Sequence, residues 1–237
     1  MRNFLLVGVI AAFIIPNQLL SQCNPYFDYE EGTSLVQTTF DKKGKEQASQ
    51  KLNITSVTNE GDKVIMLTDV TIYDKKGKEI TSNQMELICE EGVFKMDMSR
   101  FVPPGMDQME GVSISFEGDN IEMPKSLSVG KNLKDATFTV NIESDNPALS
   151  TMMGGTNTTI SNRKVLAQES ITTAAGTFDC FKISYDSKVE TKMMGMTRSF
   201  DTKGIEWISE GVGLVRVESY DKKGNLSSYT ELTSFKK

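Results

Sequence analysis

Phe40-Asp41-Lys42-Lys43-Gly44 recurs as Tyr73-Asp74-Lys75-Lys76-Gly77 and again as Tyr220-Asp221-Lys222-Lys223-Gly224. Each copy is an aromatic residue followed by Asp-Lys-Lys-Gly. Asp suits the first position of a type I turn, and Gly suits the fourth, where φ turns positive. A type I turn followed by a left-handed Gly closes a β-hairpin with a bulge. The pattern therefore predicts hairpins at three places. The residues flanking the copies do not repeat, so the pattern reads as convergence on one good closure and not as an internal duplication. Its lysines read as solvated charges that keep sheet edges soluble. The competing reading is contact with an anionic surface.

Outward from these turns, alternating apolar residues bounded by turn residues place strands along most of the chain. They fall near 33–40, 46–58, 63–73, 79–89, 93–98, 112–116, 120–123, 136–142, 156–168, 177–189, 198–208, 212–220 and 226–235. The strand at 156–168 is broken near Asn162, and residues 169–176 read as a turn-rich link. Residues 177–189 put Phe181, Ile183, Tyr185 and Val189 on one face. Phe101-Val102-Pro103-Pro104-Gly105 interrupts the ladder, since proline has no N–H to donate. Residues 106–110 could make one helical turn, and no long amphipathic helix is present. Connections this short force sequential antiparallel neighbours. A sheet of about a dozen strands must curl, close or split. The expectation is an all-β chain: one large, strongly curved antiparallel sheet, half-barrel or barrel, in a single domain over 23–237. A division into two domains near 145–155 is the lesser option.

Composition narrows the chemistry. The 237 residues include 26 Lys+Arg, 32 Asp+Glu and no His, for a net charge of −6. An acidic surface argues against nucleic acid, whose phosphates it would repel. The absence of His removes the commonest general base, and the His-containing triads and zinc sites with it. No Gly-rich phosphate loop and no Gly-x-Ser-x-Gly elbow occurs. Glu30-Glu31 and Glu90-Glu91 sit beside glycines and read as turn charges. No cofactor, no metal site and no catalytic residue is expected, and the chain is read as a non-enzyme.

Met1-Arg2-Asn3, the apolar run Phe4–Ile15, Pro16 and then Ser21-Gln22 have the order of a cleaved export signal over residues 1–22. The apolar run is too short to span a bilayer, and no second long one follows, so no membrane span is expected after cleavage. The expected location is the periplasm or the extracellular space. Leu20-Ser21-Gln22-Cys23 partly matches a bacterial lipobox, although such a box wants a small residue where Gln22 stands. Lipid anchoring through Cys23 is therefore the alternative. Cys23, Cys89 and Cys180 enter an oxidising compartment, where one disulfide is favoured. The reading leans to Cys23 with Cys89, leaving Cys180 buried, while three free thiols stay open. The sequons at Asn53, Asn157 and Asn225 are common in unmodified chains.

The remaining unusual feature is methionine. Met152-Met153 and Met193-Met194-Gly195-Met196 are clusters in loops or hairpin tips. They can be ordinary filling of a curved sheet, an adaptable apolar lining at a cavity mouth, or thioether ligands for Cu(I). Copper sites of that kind usually add His or Cys, and His is absent.

Three stretches carry a family resemblance: Glu169 through Cys180 (ESITTAAGTFDC), Glu206 through Val215 (EWISEGVGLV) and the closing Asp-Lys-Lys-Gly turn. The chain resembles a family of exported Gram-negative bacterial proteins, a domain of unknown function with the name TapB-like. That resemblance implies export and brings no site residues. More distantly, a curved antiparallel sheet is similar to periplasmic lipoprotein carriers, which hold an acyl chain in their concavity. The function expected is a binding protein for an apolar or lipid-like ligand on the concave face. Met152, Met153, Met193, Met194 and Met196 would line its rim. The alternative is a cell-envelope module that meets a protein partner.

Overall fold

The computed structural model describes residues 23–96, 111–145, 155–193 and 196–237. The expected signal at 1–22, the helical turn at 106–110 and the loop near 145–155 therefore lie wholly or largely outside the described residues. The described chain is all-β. It contains β1 (Ser34–Asp41), β2 (Glu46–Glu60), β3 (Lys63–Asp74), β4 (Glu79–Glu90), β5 (Val93–Met96), β6 (Val112–Gly118) and β7 (Ile121–Pro124). These are followed by β8 (Ala136–Ser144), β9 (Thr156–Thr173), β10 (Gly176–Met193), β11 (Met196–Ser209), β12 (Gly213–Tyr220) and β13 (Leu226–Lys236).

All thirteen belong to one antiparallel sheet, in the order β6-β8-β9-β10-β11-β12-β13-β1-β2-β3-β4-β5-β7. Chain connectivity dictates its curvature. Laid flat, thirteen strands spaced about 4.8 Å apart would be about 58 Å wide. Yet the two edge strands, β6 and β7, are consecutive in sequence, with only Asp119 and Asn120 between them. Three peptide steps span at most about 11 Å. The sheet must therefore roll until its edges nearly meet. The ladder does not close, because β6 and β7 do not pair with each other. This corrects the expectation of sequential neighbours throughout: a two-residue link, as short as those of the β2–β3 and β4–β5 hairpins, here joins strands that do not pair. At Gly118 (φ +117°) the backbone passes so close to Thr137 that a Cβ would sit 2.4 Å from its carbonyl oxygen. The chain leaves β6 there and crosses to the far edge.

Residues 125–135 bridge the remaining gap. The amides of Gly130 and Leu133 donate to the Val165 and Arg163 carbonyls at 2.8 and 2.9 Å, and the Val165 amide returns a bond to Lys131.

The three repeated turns close the β1–β2, β3–β4 and β12–β13 hairpins, as the sequence predicts. The Asp41 carboxylate accepts the amides of Lys43 and Lys45 at 2.8 and 3.0 Å. Asp74 does the same for Lys76 and Lys78, and Asp221 for Lys223 and Asn225. Each Gly amide donates to the Asp carbonyl at 2.9 Å. Gly44, Gly77 and Gly224 have φ of +79°, +76° and +81°, where a side chain would be strained. Each pairing also shows the expected bulge beside the aromatic residue. The i+4 and i+2 amides hold the Asp41 and Asp74 carboxyls below their ordinary range. At Asp221 the Asn225 side chain leads.

The break at Asn162 is a left-handed residue, φ +55°, beside a register shift. The expected link at 169–176 is shorter than read. β9 runs on to Thr173 and pairs with β10, so only Ala174 and Ala175 turn the chain. The Thr172–Thr177 hydroxyl pair, 2.9 Å apart, shows how threonines that looked like turn residues serve as cross-strand partners.

The concave face is filled at the end opposite the repeated turns. There the segment 24–33 enters the trough. Asn24 donates to the Gly92 and Met123 carbonyls at 3.1 and 2.9 Å and accepts the Tyr26 amide at 3.0 Å. Tyr26 packs edge-on against Phe181, and Phe27 stacks on Phe94 with centroids 3.8 Å apart. The Tyr29 hydroxyl donates to the Val212 carbonyl at 3.0 Å. These rings join Leu35, Ile54, Met66, Leu87, Met123, Ile183, Ile208 and Leu232 in one core. Gly213 is glycine for this reason: at φ +80°, a Cβ there would lie 2.3 Å from the Tyr29 oxygen.

Cys23 is bonded to Cys89, which ties the start of this plug to β4. The same sulfur cannot carry a thioether lipid while it is in that bond. Cys180 is free and buried. Burial, followed by the nearby Asp179 and Glu169 charges, pushes its thiol up to about 12. Iodoacetamide at neutral pH is therefore expected to leave Cys180 unmodified in the folded protein and to alkylate it in urea, read by intact mass.

Candidate functional site

Beyond the plug, β10 and β11 continue past the level of β12, with β9 still paired to β10 as far as Thr156. Lys203 pairs with Tyr220, where the β12–β13 turn begins, and β11 projects from there back to Met196. Seven further residues at about 3.3 Å each give an arm of about 23 Å.

The pairing along this arm has no register break, so its faces can be followed from the core outward. Ile183 and Tyr185 on β10 face the trough with Glu206 and Gly204 on β11. Next come Ser187 with Thr202, Val189 with Phe200 and Thr191 with Arg198, and the hairpin ends with Met193 opposite Met196. On the far side of β10, Val189 pairs with Thr158, which pairs with Phe138. Phe138 is buried and stacks on Phe116 of β6, centroids 5.7 Å apart. Phe200 and Met196 are 56% and 59% exposed. The trough thus has a buried apolar end sealed by the plug and an open end that still carries apolar side chains.

A polar group lies between the two ends. Arg163, 2% exposed, reaches from β9 across the gap and donates from one nitrogen to the Glu122 and Lys134 carbonyls, both at 2.9 Å. Its other terminal nitrogen is 3.7 Å from Oε1 of Glu206. That oxygen is buried and accepts no hydrogen bond. Burial raises the Glu206 carboxyl above its ordinary value, and Arg163 opposes the shift. Tyr185 lies flat over Gly204, where a Cβ would come within 2.0 Å of its ring. Burial and then the Glu206 charge push its phenol up to about 12.

Of the methionines expected at the rim, Met196 is at the arm tip on the inner face. Met193 is its ladder partner. Met152, Met153 and Met194 lie outside the described residues. The sequence reading did not single out Arg163, Glu206 or Phe200. The signal was present: Arg163 is in phase with buried Val165, and Glu206 alternates in phase with Ile208. On the outer face, Trp207 donates to Glu169 at 2.7 Å, and Lys182 is 3.2 Å from the same oxygen and 5.2 Å over the indole. This pairing covers the tryptophan from solvent. Among the described residues, no three Cys, Asp or Glu side chains converge on a point that could hold a metal ion.

A family pattern for DUF3108-like proteins matches residues 30–232. The chain belongs to the DUF3108-like family. No functionally curated protein matches it. Two solved structures share the fold along nearly the whole chain. One is a Bacteroides fragilis protein proposed to be exported, with a YmcC-like fold. It has 24% identity and a TM-score of 0.71, covering 91% of this chain and all of that one. The other is a proposed lipoprotein of Parabacteroides distasonis. It has 26% identity and a TM-score of 0.70, covering 90% of this chain and 99% of that one. The DUF3108-like name therefore replaces the TapB-like one. Within this family setting, the open end of the trough is the best candidate for a functional site.

Proposed function

We propose that this DUF3108-like chain is an exported, non-catalytic binding protein that takes an apolar or lipid-like ligand in the open half of its trough. The observation that carries the reading is the contrast along one face. The same inward positions that are buried under the plug at one end leave Phe200 and Met196 in solvent at the other. Covering a side chain of that size is worth about 1.5–3 kcal/mol, so an acyl chain laid along Val189 and Phe200 would bind by burial alone. Arg163 and Glu206 set the depth it can reach, because a hydrocarbon gains nothing beside a buried ion pair.

Native mass spectrometry of the mature chain, gently purified, should show an adduct of lipid mass. Phe200→Asp should lose it and weaken binding of a fluorescent fatty-acyl probe about tenfold or more. A bare mass together with no probe binding would remove this reading in favour of a module that meets a protein partner in the envelope.

A further inference from the structure

The rim around the open end is the other feature that the sequence repeats and the fold gathers. Strands β12, β13, β1, β2, β3 and β4 are adjacent in the sheet. The three hairpins they form all turn at the same end. Their levels agree: Thr39 pairs with Thr230 on one side and Ala48 on the other, and Ala48 pairs with Asp74. Three copies of one turn, scattered over 185 residues of sequence, stand side by side at a spacing of about 10 Å, two strand widths.

Segments 41–46, 74–79 and 221–225 hold eight Lys against three Asp and two Glu, an excess of three positive charges on a chain of net −6. Lys42, Lys43, Lys75, Lys76, Lys222 and Lys223 are all exposed. Among the described residues only Lys222 of these six makes an ion pair, with Asp201 at 2.7 Å. The three aspartates are engaged by backbone amides, and the exposed Lys side chains outnumber the two exposed carboxylates, Glu46 and Glu79, that the rim also presents.

The second observation is apolar. Five large hydrophobic residues among those described are exposed, and three of them belong to this end: Ile80 beside the second turn, and Met196 and Phe200 on the arm. Ile80 is the bulged residue between Glu79 and Thr81, pushed out of the ladder by the turn itself.

We infer that this rim docks on an anionic lipid surface, with the lysines and Ile80 among the headgroups and the arm carrying Phe200 and Met196 past them towards the acyl chains. A soluble polyanion would satisfy the lysines and leave the apolar residues with nothing to gain. A neutral apolar surface would leave the lysines with nothing to gain. Lysines interleaved with exposed apolar side chains match a surface that offers both. Docked this way, the open end of the trough faces the bilayer. The inference does not depend on a ligand being held there.

The test is cosedimentation of the mature chain with phosphatidylcholine vesicles, with and without phosphatidylglycerol as a third of the lipid. Binding is expected only to the anionic vesicles. Each lysine near such a surface contributes about fivefold. The variant K42Q/K43Q/K75Q/K76Q should therefore weaken binding by about a hundredfold or more. M196S/F200S should weaken it about tenfold. Removing four lysines elsewhere (K51Q/K131Q/K164Q/K236Q) should change it by less than about threefold. The inference is overturned by equal binding to neutral vesicles, or by no binding to either kind. It is also overturned if rim and distant lysines prove equivalent, or if soluble polyphosphate binds as tightly with Met196 and Phe200 irrelevant.

Discussion

Arg163→Met should cost about 3–5 kcal/mol of stability at neutral pH, the usual penalty for leaving a buried charge without its partner. The structure gives two reasons for the upper part of that range. Glu206 keeps a buried oxygen that accepts no hydrogen bond even with Arg163 present. The Glu122 and Lys134 carbonyls would also lose their shared donor. The sign of the pH dependence follows from burial. Burial already raises the Glu206 carboxyl in the folded chain, and Arg163 is what opposes the rise. Without Arg163 the folded value climbs further, so the folded chain holds a proton that the unfolded chain releases. The cost is then greatest above that raised value and shrinks as pH falls towards the ordinary carboxylate range. Urea unfolding at neutral and mildly acidic pH measures this. R163M/E206M should recover most of the loss, because replacing both members of a buried pair by apolar groups is often close to neutral. A single-variant cost below about 1 kcal/mol, with no pH dependence, would mean that the pair is solvated.

The second large effect concerns the plug. Asn24→Ala removes two donors and one acceptor, and it strands the Gly92 and Met123 carbonyls and the Tyr26 amide. A buried group left unpaired costs about 1–3 kcal/mol. A total of about 3 kcal/mol is expected, allowing for water reaching the partly buried Gly92 side. Hydrogen exchange gives a reading specific to the plug. The Gly211 amide donates to the Pro25 carbonyl at 2.7 Å, so Asn24→Ala should speed exchange at Gly211 well before amides in β2 or β10 respond. Asn24→Asp keeps the shape, loses the donors and should be no better. If Gly211 stays protected in both variants, the disulfide and the aromatic packing hold the plug unaided.

The hairpins were legible because their causes are local. An Asp carboxylate binds amides two and four residues on, and a Gly takes the left-handed position; both belong to the five-residue pattern. The strand faces were legible too, as Phe181, Ile183, Tyr185 and Val189 show. The plug was not. Asn24 finds its partners 68 and 99 residues away, and Tyr29 finds its own 183 residues away. Nothing in Asn24-Pro25-Tyr26-Phe27 marks it as the filling of a trough. The crossing at Gly118 was hidden for a different reason. A short link between two strands ordinarily means a hairpin, and only the strand order, with β6 and β7 at opposite edges, shows that this one is not. Arg163 and Glu206 were half legible. Their inward phase is written in the alternation, but their pairing across 43 residues and the width of the sheet is not.

The place of β1 in the strand order has a consequence for biosynthesis. β1 lies between β13 and β2. The two halves of the molecule, one from β1 to β5 with β7 and one from β8 to β13 with β6, share a single long seam, the β1–β13 ladder. That seam joins residues near 34–41 to residues near 228–236 and cannot form until the last of these has been made. While the ribosome is still at work, the chain can hold only two unjoined ribbons. Under the export proposed above, a polypeptide still to be threaded through a translocon would be unable to complete its architecture until synthesis ends.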